Sequence, residues 1–263
     1  MSDRRQRQKE QRAEKRETEK KQTARKELFR RLGTALVFGL VVVAVFAFSG
    51  VFAGDSTALP STYEGFRSRP TACGADQPPA ETVMSFDAPE PQNDITSTSK
   101  VTAKMATSCG EIVLELDPAT SPETVNSFVF LAREGFFDGQ VFHRIVENFV
   151  VQGGDPSADG TGGPGYVIAD EFPTASDFVY EEGAVAMANR GARSTGSQFF
   201  IVIGEDARHL TTTFNVLGQV TSGQDALERI AAVPKGVSQG SVEESLPLES
   251  VYIESVTIDV TDS

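Results

Sequence analysis

Tryptophan is absent from the 263 residues, and cysteine and histidine occur only twice each. Two Cys and two His scattered along a chain give no zinc-ligand spacing, so no metal site is expected. An excess of basic charge is also missing. The formal net charge is −13 and the pI is near 4.7, which excludes a nucleic-acid partner, because phosphate binding needs a basic face. The glycine-rich run Gly160-Thr161-Gly162-Gly163-Pro164-Gly165 lacks the following Lys-Ser/Thr of a phosphate-cradling loop and opens no helix, so nucleotide binding is excluded too. What is present is 39% apolar residues, including 18 Phe, enough for a sizeable core.

Charge is unevenly placed. Residues 1–31 carry thirteen Lys/Arg and six Asp/Glu, a net of +7, and the remainder carries −20. Between them, Leu32 to Ala53 contains no charged residue. A bilayer core of about 30 Å is spanned by roughly 20 apolar residues as a helix, so 32–53 reads as a transmembrane signal anchor. Its basic flank, Arg25-Lys26 and Arg30-Arg31, places the N-terminus in the cytoplasm and the C-terminal bulk outside, in a single-pass arrangement at the cell membrane. A cleaved signal peptide ending near Val51-Phe52-Ala53 is the competing reading. The long basic region and long apolar run favour the anchor. The tail 1–31, polar all round, would attract anionic headgroups.

Both cysteines, Cys73 and Cys109, fall on the outer side. An even count in an oxidising compartment permits one disulfide; two free thiols is the alternative. Residues 54–99, rich in Pro, Ser, Thr, Asp and Glu, read as a disordered, extended linker.

From about residue 100 the pattern changes. Val101–Thr107 and Glu111–Leu116 read as strands about the Cys109-Gly110 turn. Ser121-Pro122-Glu123 starts a helix, with Ser as N-cap and Pro at the first helical position. Val125, Phe128, Val129, Leu131 and Ala132 form its apolar stripe, and Gly135 ends it. A second helix is predicted over Gln224–Ala232, stopped by Pro234, and a last strand over 252–260. Many short strands with two helices and no βαβ rhythm point to a mainly β fold, an antiparallel barrel with helical plugs.

The densest chemistry lies in Phe142-His143-Arg144-Ile145-Val146-Glu147-Asn148-Phe149-Val150-Val151-Gln152-Gly153-Gly154-Asp155, followed by Met187-Ala188-Asn189 and Gly196-Ser197-Gln198-Phe199-Phe200-Ile201. Together these resemble the cyclophilins, the peptidyl-prolyl cis-trans isomerases. The resemblance covers about residues 100–263. It implies a closed eight-stranded antiparallel β-barrel with two capping α-helices, proline-containing polypeptides as partners, and no cofactor.

Prolyl isomerisation makes and breaks no bond. Its barrier of about 18–20 kcal/mol reflects the partial double bond of the amide. Passing from tens of seconds to milliseconds takes roughly 6–7 kcal/mol of differential transition-state binding. A fixed cationic donor aimed at the pyramidalising nitrogen would supply part of it, and the resemblance gives Arg144 that role, with Gln152 orienting it. It gives Phe149, Val150, Phe200 and Leu210 to the proline cup, with Phe214 closing its rim. Asn189 and Gln198 grip the substrate backbone beside Ala188. Two positions depart from the family pattern. His209 stands where many relatives carry Trp, which puts cyclosporin binding in doubt, and Phe214 stands where many carry His. His143, one residue from Arg144 in a strand, points the other way and reads as structural. The alternative function is a non-catalytic module or chaperone that binds Pro-containing segments; a structural envelope protein has only the acidic charge behind it.

Overall fold

The computed structural model describes residues 59–80 and 84–262. The predicted cytoplasmic tail, the anchor 32–53 and the first residues of the linker lie outside these. No helix among the described residues is long and apolar enough to cross a membrane.

Among the described residues, ten strands and three α-helices follow in order: α1 (Tyr63–Arg67), β1 (Ser99–Thr107), β2 (Gly110–Leu116), α2 (Pro122–Arg133), β3 (Arg144–Val146), β4 (Val150–Gly153), β5 (Ala184–Met187), β6 (Phe199–Val202), β7 (Val216–Ser222), α3 (Gln224–Ala231), β8 (Lys235–Val237), β9 (Glu244–Pro247) and β10 (Ile253–Asp262). Eight strands form one antiparallel sheet in the order β10-β1-β2-β7-β5-β6-β4-β3, and β8 and β9 make a separate hairpin. The sheet curls on itself. Its outer strands β10 and β3 share no ladder; the segments just before them meet in a single antiparallel bridge, Val141 to Tyr252, supported by the Phe142 N–H to the Val251 carbonyl at 2.9 Å. The Gly139 N–H to the Ile253 carbonyl at 2.7 Å and the Ile253 N–H to the Gln140 carbonyl at 2.8 Å extend the join, so the predicted closed barrel is a curled sheet whose ends meet through a short run of backbone hydrogen bonds and no strand ladder.

Alternation along the strands divides their side chains between two apolar clusters, as the period of two requires. Ile145, Val151, Val185, Met187, Phe199 and Ile201 point inward and join Phe128, Phe137 and Phe142 in the main core. Rings there meet edge-on: Phe128 and Phe199 at 6.0 Å, Phe137 and Phe199 at 5.9 Å. The interior is filled by side chains and leaves the outer face of the sheet to carry a site.

The predicted helices form, with one change in capping. Ser121 makes no side-chain cap, and its hydroxyl has no hydrogen-bond partner among the described residues. The carboxylate of Glu171 caps α2 instead. It accepts from the Glu123 N–H at 3.0 Å, the Thr124 N–H at 2.8 Å and the Thr124 hydroxyl at 2.6 Å, placing a negative charge at the positive end of the helix dipole. Gly135, at φ +71°, closes the other end in the left-handed conformation that costs glycine least.

The largest correction concerns 54–99. Where described, this stretch is an ordered strap and not a disordered linker, and it belongs to the same unit as the barrel. Tyr63 and Phe66 are buried in a small cluster with Val141, Leu246 and Tyr252. Thr62 caps α1 through the Gly65 N–H. Arg69 donates to the Pro247 carbonyl at 2.7 Å and the Pro60 carbonyl at 2.6 Å. Cys73 and Cys109 form a disulfide, with Cα atoms 5.2 Å apart, which joins the strap to the β1–β2 turn. Downstream, Phe86 packs edge-on against Phe130 at 5.0 Å, and Asp94 pairs with Arg133 at 2.6 Å. A few aromatic anchors and paired polar groups outweigh a composition that, averaged, cannot bury much apolar surface.

Candidate functional site

Strand register assembles the site. Arg144 on β3 faces Gln152 on β4, Gln152 faces Phe200 on β6, and Phe200 faces Ala186 on β5. These four stand in one row on the outer face, because each has an inward-pointing neighbour. The adjacent row pairs Val150 with Val202.

Around the apolar end of this row lies the second cluster. Val150, Phe200, Ala186, Val202 and Tyr180 are buried in it, and Phe149, Ala188, Leu210 and Phe214 pack against it. Phe200 and Phe214 meet edge-on at 5.4 Å. The Tyr180 hydroxyl donates to the Phe214 carbonyl at 2.8 Å, which fixes the loop carrying Phe214. Phe149, Val150, Ala188, Phe200, Leu210 and Phe214 are thus brought together. Burial pushes the Tyr180 hydroxyl above its ordinary pKa, and its hydrogen bond to Phe214 opposes that, so it stays a neutral donor. His209 is not part of the cluster: it ends a short 3₁₀ turn, Glu205–His209, and is exposed.

Polar groups continue the row on the other side. Gln152 Nε2 donates to Gln198 Oε1 at 3.1 Å, and Gln198 Nε2 donates to the Gly162 carbonyl at 3.0 Å. Gln152, Gln198, Ala188 and Asn189 line a groove of ≈ 440 Å³ whose opposite wall is the glycine-rich run 160–165. The run is a half-buried wall, not a phosphate cradle: the Gly160, Gly162 and Pro164 carbonyls accept from Arg190, Gln198 and Phe86. A depression of ≈ 560 Å³ against α2 contains none of the predicted site residues. Asn189 sits in the groove but spends its amide on the protein, Nδ2 donating to the Thr213 carbonyl at 2.8 Å and Oδ1 accepting from the Gly191 N–H at 3.1 Å. Gly154, at φ +78°, starts the turn beneath the groove; a Cβ there would collide with the Ser197 carbonyl.

Arg144 joins the apolar and polar parts. Its guanidinium carbon lies 5.6 Å from the centroid of the Phe149 ring, a cation–π distance. Nη1 donates to Gln152 Oε1 at 3.4 Å, a long contact. Its strongest contacts are with Glu243: Nε to Oε2 and Nη2 to Oε1, both 2.7 Å. The Arg144 guanidinium beside Glu243 holds that carboxyl below its ordinary pKa, burial opposing, so the carboxylate stays ionised at neutral pH.

The chain belongs to the cyclophilin-type peptidyl-prolyl cis-trans isomerase family.

The family's model, described as "Cyclophilin type peptidyl-prolyl cis-trans isomerase/CLD", matches residues 102–258, the barrel without the strap. The chain is 37% identical over 174 residues to a peptidyl-prolyl cis-trans isomerase B of Streptomyces anulatus, covering 60% of this chain and 95% of that one. It is 43% identical over 139 residues to isomerase B of Bacillus subtilis, covering 53% and 91%. Against a probable isomerase B of Mycobacterium leprae, 38% identical over 177 residues, the match covers 62% of this chain and 59% of that protein. The chain therefore spans little more than half the length of that relative. In solved structures the barrel resembles a Cryptosporidium parvum cyclophilin-type isomerase, with TM-score 0.54, 24% identity and coverage of 61% and 98%. That likeness is one of fold.

On this cyclophilin domain His143 directly precedes β3. It is buried, its Nδ1 has no hydrogen-bond partner among the described residues, and burial drives its pKa down to about 4, with Asp155 opposing and Arg144 adding to the fall. It is a neutral residue beneath the site. Sequence reasoning missed two residues that shape the site, Tyr180 and Glu243. Tyr180 carries an aromatic signal within a loop, Phe178-Val179-Tyr180. Glu243 carries none: it lies 99 positions from Arg144 in a stretch with several acids.

Proposed function

We propose that this domain accelerates cis-trans isomerisation of X-Pro bonds in polypeptides. The observation that carries the reading is the row Arg144–Gln152–Phe200, with a cation at one end and an apolar cup at the other. A proline ring seated between Phe200, Phe149 and Leu210 would leave its amide nitrogen beside the guanidinium. As the amide twists, the nitrogen gains a lone pair, and an N–H of Arg144 donates to it. The planar amide has no such lone pair, so the interaction favours the transition state alone. The second N–H of Gln198, beyond the one given to the Gly162 carbonyl, would hold the flanking backbone.

The test is cis-to-trans conversion of a short X-Pro peptide by the full chain, with Arg144→Ala alongside. The expected result is a rate far above the uncatalysed one that falls about 10²-fold or more in the variant. No acceleration by the folded protein would sink the reading. A second reading, a module that binds Pro-containing segments without turnover, draws on one observation, the carboxylate already paired with Arg144. Such a module would retain most of its peptide affinity in Arg144→Ala.

The domain's placement outside a membrane, on an anchor at 32–53, belongs to the same proposal. It is supported by the uncharged run with its basic flank and by a disulfide, a bond that persists in oxidising compartments. In intact cells the pair should resist thiol reagents until a reductant is added. Ready labelling without reductant would argue against it. The substrates would then be secreted or envelope proteins whose folding waits on proline.

A further inference from the structure

The isomerase reading leaves Glu243 without a role. Resting on that reading, we propose that Glu243 is a positioning residue for the reaction: its carboxylate fixes the plane of the Arg144 guanidinium before substrate arrives. A guanidinium has five N–H donors in a rigid fork. Glu243 takes the side edge, one N–H from Nε and one from Nη2, each at 2.7 Å. Gln152 faces a third, on Nη1, at 3.4 Å. Two N–H groups remain, one on each terminal nitrogen. A carboxylate that sealed the site would span both terminal nitrogens; this one leaves the forward edge open.

Glu243 is itself held. Its N–H donates to Ser241 Oγ at 3.0 Å, and its carbonyl accepts from the Ser245 N–H at 3.1 Å. It stands at the entrance to β9, which lies against β3. The strap secures the hairpin: Leu59 bridges Ser238, the Gln239 N–H donates to the Leu59 carbonyl at 3.3 Å, and Arg69 reaches the Pro247 carbonyl. A long, flexible side chain otherwise loses its rotamer freedom at the moment of reaction. Here the protein imposes that loss in advance, which is what preorganised sites require.

The experiment uses the full chain and an X-Pro peptide, with kcat and KM measured separately for wild type, Glu243→Ala and Glu243→Gln. The Nε–H resonance of Arg144 and the melting temperature are recorded beside them. The expected result for Glu243→Ala is a fall in kcat of about tenfold, little change in KM, and movement of the Nε–H signal away from its charge-paired position. Glu243→Gln, which keeps an acceptor, recovers part of the rate. If Glu243→Ala does not fold, Glu243→Gln carries the test through the same two readouts. A kcat equal to or above wild type in the folded variant overturns the proposal, a rise meaning that the carboxylate masks the arginine. An unmoved Nε–H signal overturns it as well. A wild-type protein without activity removes the isomerase reading itself, which the wild-type measurement alone decides.

Discussion

Arg144 is approached from two sides by unlike kinds of structure. On one side are β3, β4 and β6, short strands whose pleat points Arg144, Gln152 and Phe200 the same way and whose reverse faces are locked into a phenylalanine-rich core. On the other is the β8–β9 hairpin, a two-stranded element of the kind that is marginal alone. It is held by a strap of mostly polar residues through one bridge and a few carbonyl contacts, and the strap is itself pinned to the β1–β2 turn by one disulfide. The first region owes its precision to burial, the second to tethering. Damage should therefore spread differently: a core lesion loosens everything, and a tether lesion loosens one side of the arginine.

The sharpest contrast comes from Phe128→Ala. This ring is fully buried at the centre of the aromatic cluster, and its loss should cost about 3–5 kcal/mol, read as a large drop in the denaturant midpoint of the whole domain. A cost under about 1 kcal/mol would show that the core is not what holds the strands. Cys73→Ser comes next. The disulfide closes a separation of 36 residues, which the loop-entropy relation equates to about 3–4 kcal/mol. Here the comparison predicts a split: peptide turnover should fall at temperatures where the far-ultraviolet spectrum of the barrel is still native. Loss of both together would mean that strap and barrel are one cooperative unit.

Acid should act on the barrel side through His143. Its folded pKa of about 4 lies below the ordinary 6.5, so between these values the unfolded chain binds more protons than the folded one. The stability that neutral His143 provides is complete above about pH 6.5 and is lost as pH falls toward 4, by roughly 3 kcal/mol in all. A His143→Gln variant should show a flatter melting temperature over this window, and an unchanged slope would remove His143 as the cause. The smallest effect belongs to the strap: Thr62→Ala removes the cap of α1 and should lower stability by about 1 kcal/mol or less, with no change in the core's slow hydrogen exchange.

The sequence shows the barrel well because burial writes a period into it. The strands about Cys109-Gly110, the helix opening at Pro122 and the helix over Gln224–Ala231 all appear within a residue or two of where alternation, proline and glycine place them. The row on the outer face is legible for the same reason, once Arg144 and Gln152 are put on paired strands. The strap is not. Tyr63, Phe66 and Phe86 are three aromatic residues in a stretch dominated by proline and hydroxyl groups, and their partners lie on distant parts of the chain. Ser121 reads as a cap because it precedes Pro122, yet Glu171, some fifty positions on, does that work. Glu243 fails for a related reason: a single long-range ion pair leaves no periodic trace.

The disulfide also decides how a pull on the chain reaches the barrel. Tension applied upstream of residue 59 first loads the Leu59–Ser238 bridge, then the Thr71–Ser250 bridge. At Cys73 it crosses to Cys109 at the β1–β2 turn. Everything between, including β1, is bypassed. The load therefore enters at the closed end of a hairpin, where two strands would have to shear together, and not at the free end of β1, from which one strand could peel away at a time.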